Sequence, residues 1–122
     1  MRRRGRGLER WLIAIFSLAS SAALAFNPAD EGYRRLKEAE IRKAFIGKTF
    51  SDEAHFSERF KADGTIEGYA LGKKIARTWK IIDDELCITS HSEETCYSVW
   101  LKGSEIELVF RDSDNPIYGK IK

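Results

Sequence analysis

The sequence predicts a mainly β chain: an antiparallel up-and-down small barrel or calyx of about seven or eight strands, with one short N-terminal helix. Three observations lead there. From Lys48 onward apolar residues alternate with polar ones at period two. Turn signals recur roughly every eight to twelve residues, the spacing of an antiparallel sandwich or barrel. And successive hairpins, registered by their turn residues, set apolar residues opposite apolar residues.

The register follows from a simple rule: in a hairpin, opposed residues have a constant index sum, and opposed residues share a face. "FKADGTI" offers a three-residue loop with Gly64 in the left-handed slot, which sets Phe60 opposite Ile66 and Arg59 opposite Glu67. "LGKK" offers Gly72-Lys73 as a two-residue loop, which sets Ile66 opposite Trp79 and Gly68 opposite Arg77. "IDDE" turns at Asp83-Asp84 and pairs Ile81 with Leu86 and Trp79 with Ile88. "KGSE" turns at Gly103-Ser104 and pairs Val99 with Leu108, Leu101 with Ile106, Tyr97 with Phe110 and Lys102 with Glu105. The strands expected are 48–52, 54–61, 65–71, 74–82, 85–90, 95–101, 105–111 and 116–121. Pro116 marks the last as an edge.

Ahead of the strands, Glu38 to Ile46 reads as the helix, with Leu36, Ile41 and Phe45 toward the core and Gly47 as its stop. Glu40 stands at the third position, as in a capping box, and Leu36 and Ile41 have staple spacing. The cap position holds Lys37, where Ser, Thr, Asp or Asn is wanted.

The first 25 residues read as a cleaved secretory leader. Arg2, Arg3, Arg4, Arg6 and Arg10 make a basic start, Trp11 begins an apolar run, and Ala23-Leu24-Ala25 is a small-x-small cleavage pattern. The run is short of the roughly 20 apolar residues that span a bilayer, so no stable membrane anchor is expected after cleavage. Residues 26–36 then form a mobile lead-in or loose turn, and 37–122 one small barrel domain. Removing five arginines and one glutamate with the leader turns the net charge from +2 to −2. The basic balance belongs to the leader and gives no ground for nucleic-acid binding. The expected product is a periplasmic or secreted monomer.

The two cysteines, Cys87 and Cys96, fall directly opposite each other across the hairpin that joins their strands. Directly opposed residues lie about 4.5–5.5 Å apart at Cα, within disulfide range. Export would put them in an oxidising compartment. A cross-strand staple is therefore expected, on the outer face with Trp100. Leu86, Ile88, Tyr97, Val99 and Leu101 should face the core. The eight residues between the cysteines do not fit a redox CxxC, and no second pair of zinc ligands has the required spacing. No metal and no cofactor are expected. Trp100 reads equally as a partner surface or as a residue lying under the N-terminal helix or a loop.

Arg77 is the unusual residue, because alternation places it on the face of Ile75, Trp79 and Ile81. A guanidinium at a barrel mouth, with Trp79 and Tyr69 near it, suits an anionic or carboxylate ligand. The same arginine could instead reach water or pair with Glu58 or Glu67. His55 and His91 are the only histidines, and no nucleophile, base and acid come together by spacing. Asp83, Asp84 and Glu85 read as solvated turn formers. Two kinds of partner follow for a non-catalytic protein: a small apolar or anionic ligand in a calyx, or a protein met through outer loops and Trp100, such as a secreted hydrolase or an envelope-assembly partner.

"EIRKAFIGKTF", "FKADGTIEG" and "TWKIIDDELC", with the second cysteine in "CYSVW", resemble a family of small exported bacterial proteins of unknown function with lipocalin-like or other small β-barrel character. Gly47, Asp63-Gly64-Thr65, Trp79 and Leu86-Cys87 occupy that pattern's places, over roughly residues 36 to 101. Arg77 stands where the pattern has glycine, and Lys37 where it has a capping Ser or Thr. The resemblance implies a fold and an export route and brings no activity.

Overall fold

In the computed structural model, residues 27–111 and 113–122 are described; the expected leader, 1–25, lies outside them. The elements run β1 (Arg34–Arg35), α1 (Glu38–Phe45), β2 (Thr49–Ser51), β3 (Phe56–Phe60), β4 (Thr65–Ala70), β5 (Lys73–Ile82), β6 (Glu85–Ser90), β7 (Glu93–Lys102), β8 (Glu105–Val109) and β9 (Ile117–Ile121). Strands β2 to β9 pair antiparallel in sequence order, and β9 returns to β2 through Phe50↔Ile121 and Ser51↔Lys120. The result is a closed eight-stranded antiparallel barrel with one helix. Closure corrects one expectation: the strand after Pro116 is not an edge, because β9 has β8 on one side and β2 on the other. Pro116 sits just before it, where a missing N–H costs no ladder bond.

Four of the five hairpin registers are those the turns dictate: Phe60↔Ile66, Ile81↔Leu86, Cys87↔Cys96 and Val99↔Leu108. The fifth is shifted. Between β4 and β5 the turn is Leu71-Gly72, with φ of 52° and 79°, so Ile66 faces Arg77 and Gly68 faces Ile75. Glycine usually supplies left-handed backbone at low cost; here Leu71 shares it, and the register moves by two. A two-residue move preserves the side-chain parity, so every residue of β5 keeps its expected face.

Gly68 has no free space beside it. A Cβ there would collide with the Ser57 carbonyl oxygen, because β3 main chain passes at that point. Gly119 is a second such place, where a Cβ would meet the Phe50 ring at 2.6 Å. Glycines inside strands mark bends and close approaches, and a barrel this small needs both.

The helix closes one end. Ile41 and Phe45, four residues apart, are fully buried with Leu36. Phe45 packs edge-on against Phe60, with centroids 4.9 Å apart, and Phe60 against Trp79 at 5.8 Å. Phe50, Ile66, Leu86, Val99, Ile106 and Leu108 complete this core. The missing cap is supplied from far along the chain: the Glu38 N–H donates to Asp84 Oδ1 at 2.8 Å, while Glu40 accepts the Lys37 N–H at 3.0 Å. Asp84, expected to be a solvated turn former, therefore ties the β5–β6 turn to the helix start.

The segment expected as a lead-in or loose turn is ordered against the barrel wall. Asn27 caps a 3-10 turn over Pro28–Glu31. Tyr33 is buried and its hydroxyl donates to Glu105. Lys102 Nζ donates to the Glu31 carbonyl and lies 4.8 Å from the Tyr33 ring centroid. β1 then pairs with β7 beyond the point where β6 stops.

Candidate functional site

Cys87 and Cys96 form a disulfide, with Cα atoms 3.9 Å apart. They lie on the outer face, while Leu86, Ile88 and Val99 are buried inside and Tyr97 and Leu101 pack against the core. The Glu94 carboxylate is within 4.8 Å of both sulfurs. Those sulfurs are bonded to each other, however, and offer no thiolate to a metal; Glu94 pairs instead with Lys80 at 3.3 Å. Trp100 is half-buried. It stands between Arg35 of β1 and Glu107 of β8, and its Nε1 donates to Ser98 Oγ at 2.9 Å.

The three residues expected around a barrel mouth do not converge. Tyr69 lies on the outer face of β4 and is 58% exposed. Trp79 belongs to the helix-side core, and its Nε1 donates to the Lys61 carbonyl at 3.0 Å. Arg77 keeps its inward face, but Glu58 of β3 takes it: Nη2 and Oε2 are 2.9 Å apart. The contact is one of charge rather than an aligned hydrogen bond, since Glu58 Oε2 is buried and no donor points at it. Glu58 had appeared in the sequence as one choice of Arg77 partner. Its place inside could have been read from its alternation with Phe56 and Phe60.

This polar set sits in the half of the barrel away from α1. Burial raises the Glu58 pKa above the ordinary carboxylate value, and Arg77 only partly opposes that. Tyr97 belongs to the same electrostatic neighbourhood: burial raises its pKa, Arg77 lowers it and Glu58 raises it. Its ring packs edge-on with Phe110 at 6.3 Å. An arginine already neutralised by a buried carboxylate is a weak receptor for a ligand anion, because binding would expel Glu58 or protonate it.

The loop between β2 and β3 holds His55. Partial desolvation works to raise the pKa of Asp52, but N–H groups of Ala54, His55 and Phe56 and the His55 ring outweigh it and hold the carboxyl well below its usual value. That carboxylate shapes the turn, and no hydroxyl or thiol nucleophile is hydrogen-bonded to the His55 ring among the described residues. His91 lies exposed in the left-handed turn between β6 and β7, at φ 52°.

A cleft that spacing alone did not indicate opens where α1 meets the barrel rim. Its volume is about 370 Å³. Leu36, Ala44, Leu101 and Ile121 give it apolar walls, and Arg34, Glu40, Lys43 and Lys48 stand among the residues that line it. Arg34 is held by Glu40 at 2.7 Å, and Glu40 is lowered in pKa first by that bond and then by the Lys37 N–H. Lys43 and Lys48 are both exposed, and neither pairs with a carboxylate among the described residues. The only sequence signal for this site was basic residues at the end of an amphipathic helix, an ordinary complement to the helix dipole.

Fold and site together define a closed, disulfide-stapled antiparallel barrel with a helix over one end. No family model, curated protein or solved structure matches this chain. Among the described residues, no helix is long and apolar enough to cross a membrane.

Proposed function

We propose that the protein is a non-catalytic exported binding protein that holds a small apolar or anionic molecule, in the cleft under α1 rather than in a calyx. The observation that carries this reading is the cleft itself: about 370 Å³, apolar-walled, with two lysines that no carboxylate among the described residues engages. Ligand pockets run from roughly 300 to 1,000 Å³ and combine mostly apolar walls with a few polar groups. The expected calyx has less in its favour, since core side chains fill the helix half of the interior and Glu58 occupies Arg77 in the other. The export route rests on the leader pattern in residues 1–25, with which a disulfide is consistent. Native mass spectrometry of protein purified from its own periplasm tests the reading. A retained small molecule, displaced on blocking the cleft with Ala44→Glu, is expected; protein that carries no small molecule and co-purifies with another protein overturns it.

A second reading, a protein-interaction module, draws on Leu71. This residue is 79% exposed and sits at φ 52°. A bulky apolar side chain at positive φ costs about 1 kcal/mol or more, and nothing in the fold gains from exposing it. Leu71→Asn should leave the barrel at least as stable, because asparagine tolerates left-handed backbone. If Leu71 enters a partner's apolar pocket, the same change should abolish capture of that partner.

A further inference from the structure

We infer that the α1 cleft is a site for a free, single-chain amphiphile with one anionic head group, such as a medium-chain carboxylate or alkyl sulfate. The inference rests on the binding reading above and names its ligand class. Two features of the cleft, at different depths, carry it.

The first is the wall. Leu36 is almost fully buried, and Ala44, Leu101 and Ile121 are half-buried and packed against the core. They come from four parts of the fold: the approach to α1, the helix itself, β7 and β9. Four apolar groups converging on one cleft present a surface to a flexible chain. The volume of about 370 Å³ limits what fits to a short or medium tail rather than a two-chain lipid.

The second is the charge at the rim. Three cations face one carboxylate, and that carboxylate is committed to Arg34 at 2.7 Å. Lys43 and Lys48 have no carboxylate partner among the described residues. They flank the C-terminal end of α1, whose dipole favours cations. An exposed ammonium binds a head group as a point charge without fixed geometry, so carboxylate and sulfate should both serve. A cationic head should be rejected. A small anion without a tail should bind feebly, because exposed charge pairs contribute little on their own and are screened by salt.

The test uses the mature chain with amide chemical-shift titrations, every amphiphile kept below its micelle concentration. Decanoate and decyl sulfate should bind and shift amides of Ala44, Leu101 and Ile121. Octanoate should bind about tenfold more weakly than decanoate, at up to fourfold per buried methylene. Decanol should bind more weakly than decanoate, and acetate and decyltrimethylammonium should give no saturable shift. Lys43→Ala with Lys48→Ala should weaken decanoate about tenfold and remove most of its salt dependence. Both lysines are exposed, so an unchanged amide spectrum in the free variant would show the fold intact.

Equal affinity for decanoate and decyltrimethylammonium overturns the anionic head, as does an unchanged affinity in the double variant. Phosphate binding as well as decanoate overturns the tail. Co-sedimentation with phosphatidylglycerol vesicles, without any response to monomeric decanoate, would assign the patch to a membrane surface and overturn a free ligand. If decanol alone shifts these amides, the anionic class falls while the binding site stands. If no probe shifts them and native protein carries no molecule, both readings fall.

Discussion

The two ends of the barrel solve the problem of a small interior in opposite ways. At the α1 end, Phe45, Phe50 and Phe60 are buried and pack ring against ring, with Trp79 alongside. At the other end an ion pair, Glu58–Arg77, enters the interior beside Tyr97. The first arrangement gains from every methylene it removes from water. The second must offset the desolvation of a carboxylate whose Oε2 no donor faces, with a charge contact to a partly exposed arginine. Stability should therefore concentrate at the helix end, and sensitivity to pH should concentrate at the other.

The sharpest way to break this contrast is Phe45→Ala. It empties a fully buried site under the helix and should cost about 3–5 kcal/mol in urea unfolding. A loss below 1 kcal/mol would mean that α1 is not the plug described. Replacing Cys87 and Cys96 by alanine, which opens a loop with a sequence separation of 9, should cost roughly 2–3 kcal/mol. The loss should be the same at both ends, because the staple limits the unfolded chain more than it holds either half.

Arg77→Met should cost about 1–3 kcal/mol at neutral pH, less than a fully enclosed pair would, since the arginine is partly solvated. The effect should shrink in acid. A carboxyl whose native pKa lies above its unfolded value binds its proton more tightly when folded. The contribution of Glu58 is therefore most favourable below the unfolded value, and stability falls as pH rises from there through the raised native value. Glu58→Gln should flatten that part of the stability–pH curve, and a curve unchanged by Glu58→Gln would contradict the assignment. Glu107 is raised in the same direction by its burial, so a falling component should remain in Glu58→Gln, opposed at more acid pH by the lowered carboxyls of Asp52 and Glu40. The smallest effect sharpens the other end: Asp84→Ala removes the cap from Glu38 and should cost about 1 kcal/mol, read by faster amide exchange in the first turn of α1.

The parts legible in the sequence were those governed by near neighbours. Alternation fixed the face of nearly every strand residue, and the turns at Gly64, Asp83-Asp84, His91-Ser92 and Gly103 set four registers. The opposed cysteines then followed from one of those registers. The β4–β5 register slipped because Leu71 occupies a conformation that its residue type disfavours, which sequence reasoning has no reason to grant it. Closure at Phe50↔Ile121, the docking of Tyr33 on Glu105 and the cap from Asp84 join residues 71, 72 and 46 positions apart; no local pattern announces them. The α1 cleft was hidden for the same reason, since its walls come from four separated stretches. Arg77 was read on its correct face, but its meaning depended on Glu58 arriving from another strand.

The pairing of β2 with β9 also sets an order of events. Each neighbouring pair from β2 to β9 is joined by a local connection, so its loop-closure cost is small. Phe50↔Ile121, Ser51↔Lys120 and the paired main-chain bonds between Thr49 and Lys122 draw together the first and last strands of the barrel. The hairpins can form as soon as their residues are free to fold, but β2 waits, with one flank open, for the last strand to arrive. Contacts of such long separation slow folding far more than they alter final stability. The chain should thus pass through a nearly complete sheet with two exposed flanks, and the speed with which β9 closes it decides how long those flanks are open to a second molecule.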